Sequence, residues 1–336
     1  MKIKISQAPD LVTNILQAKL VPMIHGSPAV GKSAIVRRIA KQFGLKLIDL
    51  RLSQCDPTDL MGFPKITGDR AGYVPMDTFP IEGDDLPKGC NGWLLFLDEF
   101  NSAPMAVQSA SYKLVLDRMV GQHNLHKNVA VVCAGNLETD GAIVQPMSTA
   151  LQSRLIHLEV TVDVKQWCQW ADEEKMNPKI ISYLGFRPDN IYTFHPDHSD
   201  KTYASPRTWE FTHKLMEVVD INRETIAIFA GTLGEGVARE FMGFCQIEDK
   251  LPKMEAIEKA PATTFVPDEP SAHHALCGAL AAYMTKDNCS ALLEYIARIP
   301  AEFQVTAIRR SVKRNPDLLS HADFGKWCTK FAAEMM

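Results

Sequence analysis

Eight consecutive residues, Gly26-Ser27-Pro28-Ala29-Val30-Gly31-Lys32-Ser33, carry the spacing GxxxxGK[ST]. The chemistry served by that spacing is the holding of phosphate. Backbone N–H groups of a glycine-containing loop cradle phosphate oxygens, and the start of a helix adds partial positive charge. Lys32 would reach the β- and γ-phosphates of a nucleotide, and the Ser33 hydroxyl would ligate Mg²⁺. The surroundings suit the task. The apolar run 20–25 precedes the loop and the helical run 33–43 follows it, so a strand feeds the loop and the loop feeds a helix. Taken alone, the loop implies a nucleotide and says nothing of hydrolysis.

Hydrolysis needs a second set of groups. The stretch Trp93-Leu-Leu-Phe-Leu-Asp98-Glu99 is an apolar strand ending in two acids, which can point into the ligand crevice of an α/β sheet. Asp98 can hold Mg²⁺ directly or through water, and Glu99 can orient and deprotonate a water for attack on the γ-phosphate. A kinase would place its acceptor where that water sits, so the pair favours hydrolysis. A further apolar run, Val129-Ala-Val-Val-Cys-Ala-Gly-Asn136, ends in an amide that can bond the attacking water or the γ-phosphate. Arg154 closes a short helix. It suits an arginine finger on the transferring phosphoryl group, and equally a plain helix C-terminal cation. In Ser205-Pro-Arg207, Ser205 is placed as a helix cap and Pro206 at the first helical position. Arg207 then stands in the first turn, where the helix dipole disfavours a cation, which invites an anionic partner such as the γ-phosphate.

These residues require elements to carry them. Five short, nearly continuous apolar runs, 21–25, 47–52, 93–97, 129–134 and 156–160, read as parallel strands covered on both faces. Helical stretches 33–43 and 106–120 lie between them, with Gly44 and Gly121 as stops. The alternation predicts a doubly wound α/β layer. From Val164 the pattern is helical: 164–175, 178–184, 206–219 and 223–245. Residues 250–270 read as a linker and 272–284, 289–299 and 302–313 as a last helical set. The expected division is a nucleotide-binding domain at 1–162, a helical lid at 163–249, and a linker with a helical extension at 250–336.

Composition narrows the setting. The 336 residues can bury a full core without staples. The eight cysteines are scattered singly, with no metal or disulfide pattern. No apolar segment follows the N-terminal Met-Lys-Ile-Lys, and no long apolar run occurs, so a soluble, reducing, cytoplasmic setting is expected. The net charge of −4 speaks against nucleic acid as the main partner. His273-His274 reads as a solvated helix face, and Trp167 with Trp170 as helical core packing.

These pieces, in this order, resemble the AAA+ ATPases. Asp56-Pro-Thr-Asp-Leu-Met-Gly62-Phe-Pro64, Gly92-Trp-Leu-Leu-Phe-Leu-Asp-Glu-Phe-Asn101 and Ser205-Pro-Arg-Thr-Trp209 are similar to the MoxR-like branch, which includes the NorQ/CbbQ-type ATPases. The resemblance covers roughly residues 10–245. It implies a P-loop αβα sandwich of strand order 5-1-4-3-2 with a helical lid, and Mg²⁺-dependent ATP hydrolysis. It implies a hexameric ring with ATP between neighbours, Arg154 acting in trans and Arg207 within its own subunit. It also implies a pore-facing insertion around Met61–Lys65 and chaperone-like work on a protein client, often with a von Willebrand factor A (VWA) partner. Arg118 lies where a second inter-subunit arginine could reach, or is a solvated helix-end charge. Two rival readings share the site: a nucleic-acid motor of helicase or loader type, and a non-hydrolysing nucleotide switch.

Overall fold

The computed structural model describes residues 1–141, 144–197, 200–248 and 251–332. They fall into two compact units. One is Met1–Asp163 with His195–Asp197, the other Val164–Phe194 with His198–Met336.

The first unit runs β1 (Lys2–Lys4), α1 (Ala8–Gln17), β2 (Val21–His25), α2 (Lys32–Gln42), β3 (Leu45–Arg51), α3 (Pro57–Met61), β4 (Phe63–Thr67), β5 (Arg70–Val74), β6 (Gly92–Asp98), α4 (Met105–Tyr112), β7 (Met119–Val120), β8 (His123–Asn124), β9 (Val129–Gly135), α5 (Thr149–Gln152) and β10 (Leu155–Thr161). Six strands form one parallel sheet in the order β1-β10-β2-β9-β6-β3. In terms of the five strands read from sequence this is 5-1-4-3-2, with β1 added beyond the fifth. The inner strands β6 and β9 are buried almost throughout, which is why they read as unbroken apolar runs. Edge strand β3 alternates instead: its leucines and Ile48 are half-buried while Lys46, Asp49 and Arg51 are exposed. Pro22 is tolerated in β2 because pairing with β9 begins only at Met23.

Alternate residues face opposite layers. Met23, Leu95, Leu97, Val131 and Cys133 share a core with Phe100, Val107, Leu114 and Val115. On the other face lie α1 and α2, which bring Val12, Ile35, Val36 and Ile39 to full burial. The result is a three-layer αβα sandwich.

One local expectation changes, and two elements are added. The helix read over 106–120 ends at Tyr112, continues as a π turn over Lys113–Asp117, and reverses at Arg118 in the left-handed region (φ 55°). The hairpin β7–β8 follows. Residues 63–74 form the separate antiparallel hairpin β4–β5. The sheet gains β1, which a three-residue Lys-Ile-Lys segment did not announce.

The second unit is helical among its described residues: α6 (Val164–Glu173), α7 (Pro178–Phe186), α8 (Pro206–Met216), α9 (Ile226–Leu233), α10 (Glu235–Glu248), α11 (Met254–Lys259), α12 (Pro270–Tyr283), α13 (Cys289–Ile296), α14 (Ala301–Arg314) and α15 (Ala322–Ala332). The single helix read over 223–245 is two, divided at Gly234 (φ 86°). The stretch read as a linker contains α11, whose Ile257 is fully buried. Lys250, where that linker was read to begin, lies outside the described residues. Helix α12 packs on both α7 and α14. The buried Arg310 of α14 donates to Ser182 Oγ (3.1 Å) and Ile181 O (2.9 Å) of α7. The His273-His274 face is not solvated: His273 is 5% exposed and its ring packs, tilted, against Phe303. Trp167 is buried as expected, whereas Trp170 stays exposed.

Candidate nucleotide site

The phosphate loop leaves β2 at His25 and enters α2 at Lys32. Its glycines are required by space and by backbone. A Cβ on Gly26 would lie 2.9 Å from Val160 Cγ2, and Gly31 has φ 107° and would bring a Cβ to 2.9 Å from Ile5 Cδ1. Ala29 also sits in the left-handed region, at φ 61°, a costly conformation outside glycine. Gly31 brings no capping side chain to the start of α2, where the helix dipole favours an anion.

Lys32 is buried and folds back over the loop. Its Nζ donates to Gly26 O (2.5 Å), Ser27 O (3.1 Å) and Asn136 Oδ1 (2.9 Å). All three are neutral oxygens. Gly26 N donates in turn to Gly135 O, binding the loop to the end of β9. Ser33 Oγ donates to Asp98 Oδ2 at 3.1 Å. An ammonium beside a helix N-terminus fits a polyphosphate. A hydroxyl in contact with a carboxylate is the hard-oxygen donor pair that suits Mg²⁺.

Asp98 closes β6, and its Oδ1 accepts from Glu99 N (2.9 Å). Glu99 itself is left-handed, φ 55° and ψ 34°. That conformation costs energy in a non-glycine residue and turns the chain sharply at the strand exit. Ser53, in the turn after β3, donates to Glu99 Oε2. Three carboxylates therefore share this edge. Partial burial, then the charge of Asp98 with a contribution from Glu99, holds the Asp49 carboxyl above its ordinary range, against Arg37 and Arg51. A cation here would relieve that repulsion.

Two residues were missed in the sequence. Asn101, 3% exposed, grips the backbone of Asn136 from both sides: Asn101 Nδ2 donates to Asn136 O (2.8 Å) and Asn136 N donates to Asn101 Oδ1 (3.0 Å). Gly135 makes room, since a Cβ there would lie 2.2 Å from Asn101 Oδ1. A lone Asn after a strand reads as a turn residue, so the signal lay only in its pairing with Gly135-Asn136. Asp140, buried beside the loop, accepts from Ser27 Oγ (3.2 Å). Its Oδ2 has no hydrogen-bond partner among the described residues, and no sequence pattern marked it.

Arg154 and Arg118, in the same unit as the loop, lie away from it. Arg154 is exposed, with Nη1 on Ala150 O (2.9 Å). Sheet register pairs Leu155 with Val21 and Glu159 with His25. Arg154 thus stands about five residues, roughly 16 Å along the strands, from the phosphate-loop edge. Arg118 is half-buried and donates to Val129 O at the first residue of β9, and burial draws its guanidinium below the usual range. It is not a solvated helix-end charge. Arg207 is exposed in the first turn of α8, behind Pro206, where Ser205 and Thr208 cap each other reciprocally. A cleft of about 370 Å³, lined by His25, Asn101, Asn136, Glu138 and Glu159 among others, opens beside the site.

A parallel sheet that carries GxxxxGKS after an inner strand, with acids ending a strand two places away, defines the αβα fold of the P-loop NTPases. No family model matches the chain. Among solved structures it is similar to NtrX from Brucella abortus in complex with ADP, at 14% identity and TM-score 0.40, over 98% of this chain and 68% of that one. It is similar to a putative ATPase from Cytophaga hutchinsonii (14%, TM-score 0.36, 91% and 79%). It is also similar to the Thermotoga maritima RuvB Holliday junction branch migration motor (14%, TM-score 0.35, 77% and 74%). No helix among the described residues is long and apolar enough to cross a membrane.

Proposed function

We propose that the chain is an ATP-hydrolysing AAA+ motor of the MoxR type that remodels or activates a protein partner. One arrangement carries the reading. Lys32 bonds Asn136, Ser33 bonds Asp98, and Asp98 is followed by a backbone-strained, hydrogen-bonded Glu99, all at one edge of a parallel sheet.

In this reading residues 26–33 hold the phosphates of ATP. Ser33 and Asp98 hold Mg²⁺, which supplies Lewis-acid neutralisation of phosphate charge. Glu99 takes the proton of the attacking water, and Asn136 fixes that water or the γ-phosphate. Arg154, too far from its own loop by strand register, serves the nucleotide of the next subunit in a ring, hexameric by resemblance. Arg207 serves its own. Residues 163–249 act as the lid and 250–336 as an extension. The hairpin β4–β5 exposes Phe63, Ile66, Tyr73 and Val74. Such a set suits contact with a protein client, a VWA-domain protein by resemblance, better than a phosphate backbone.

Phosphate release by wild type and Glu99→Gln tests the reading. The expected outcome is a loss of turnover of at least ~100-fold with ATP binding retained. Undiminished turnover in the variant removes Glu99 as the base. Turnover stimulated by DNA or RNA, with stimulation falling steeply in salt, redirects the reading to a nucleic-acid motor. Tight ATP binding without turnover in wild type leaves a nucleotide switch.

A further inference from the structure

We propose that His25 and His157 are positioning residues for Arg154, forming a hydrogen-bonded chain that ties the phosphate-loop edge of the sheet to the helix end that carries this arginine. The inference rests on the reading of Arg154 as a group that acts on a neighbouring subunit.

His25 is the last residue of β2, directly before Gly26, and lines the cleft that Asn136 also lines. His157 lies on the adjacent strand β10, in register with Met23, so the two side chains share one face of the sheet. His25 Nε2 and His157 Nδ1 are 2.8 Å apart, with the rings stacked at 5.1 Å. His157 Nε2 lies 2.8 Å from Gln152 O. A carbonyl oxygen can only accept, which assigns the proton to His157 Nε2. In the neutral ring Nδ1 then accepts, and His25 Nε2 is the donor. The chain has one direction: His25 to His157 to Gln152 O.

Its end point matters. Gln152 is the last residue of α5, and its carbonyl is one of those a helix cannot satisfy internally. Arg154 follows two residues later and bonds Ala150 O of the same turn. Ala150 O thus takes Arg154 Nη1 together with Ser153 Oγ, and Gln152 O takes His157. Register separates Arg154 from the loop edge by about five residues, and the two imidazoles bridge part of that distance along the sheet face. Burial, with Glu159 opposing, lowers His25 to about 4, which leaves it a neutral donor.

Turnover at saturating ATP and nucleotide affinity, measured on the full-length assembled protein, test this. His157→Ala is expected to slow turnover about fivefold, the equivalent of one hydrogen bond, with ATP affinity unchanged. His157→Gln, whose amide N–H can reach Gln152 O, is expected to recover most of it. In an Arg154→Ala background His157→Ala should cost nothing more. Imidazole ¹⁵N spectra should show His157 protonated at Nε2, and His25→Ala should shift its Nδ1 resonance towards that of an imidazole with no donor. Wild-type turnover in His157→Ala while Arg154→Ala is slow overturns the inference alone. Losses that multiply in the double variant, or a changed ATP affinity, do the same. Full turnover in Arg154→Ala overturns the reading of that arginine, and this inference with it.

Discussion

The ammonium of Lys32 donates to the side-chain oxygen of Asn136 at 2.9 Å. The bond joins the first residue of α2 to the residue after β9, and its geometry depends on a third side chain, Asn101. With its own backbone clamped by Asn101, Asn136 has little freedom to leave Lys32. Asn101→Ala strips both partners from the part-buried backbone of Asn136, and a roughly tenfold loss of turnover is expected. Gly135→Ala should act through the same contact, because its Cβ would meet Asn101 Oδ1, Asn101 Cγ and the more compliant methyl of Met23. The two effects should therefore not multiply: in an Asn101→Ala background Gly135→Ala loses most of its cost. Steady-state turnover of the four proteins checks this, and independent losses would detach Asn101 from Asn136.

What could be read in the sequence, and what could not, follows from the range of the interactions. The strands β2, β6 and β9 are buried on both faces, so their residues are apolar without alternation and stand out. The phosphate loop carries its requirement locally, in Gly26 and Gly31. Strand β1 has only β10 as a neighbour and three residues, so it leaves almost no pattern. The π turn before Arg118 is imposed by the reversal into β7, against a helical periodicity that runs on. Asn101 gains its meaning from a residue 35 positions later, and Asp140 from one 113 positions earlier. His273 looked solvated because polarity alone cannot show that Phe303 covers it. Arg154 was legible as a cation at a helix end. Its distance from its own loop is a property of strand register.

Asp49 gives a prediction about stability and pH. Its folded-state pKa lies above its ordinary value of 3.8, through burial first and the charge of Asp98 second. The native state therefore holds an extra proton between the two values. Stability falls as pH rises through that window and stays lowered above it. Asp49→Asn removes the penalty, so its melting temperature should exceed that of wild type at pH 7.5. The gain should vanish as pH falls towards 3.8. The side chain is exposed, so solvent screening limits the effect to about 1–2 °C. Mg²⁺ with nucleotide should narrow the gap further, since a cation at Asp98 offsets the same repulsion. Thermal melts of both proteins across pH decide the point, and a gain that grows on acidification contradicts it.

The placement of Arg154 makes the ring itself testable. In the proposed ring, Lys32→Ala would remove the phosphate contact from a subunit's own site and leave its Arg154 intact. Arg154→Ala does the reverse. Each variant alone should turn over little ATP, because every interface lacks one of the two groups. Mixed at equal amounts, about one interface in four places an intact loop against an intact Arg154, given random assembly around a cyclic ring. Turnover should then recover to about a quarter of the wild-type rate per subunit and should peak near equal mixing. If Arg154 instead served its own subunit, no mixture could place both groups at one nucleotide, and activity would stay flat at the level of the separate variants.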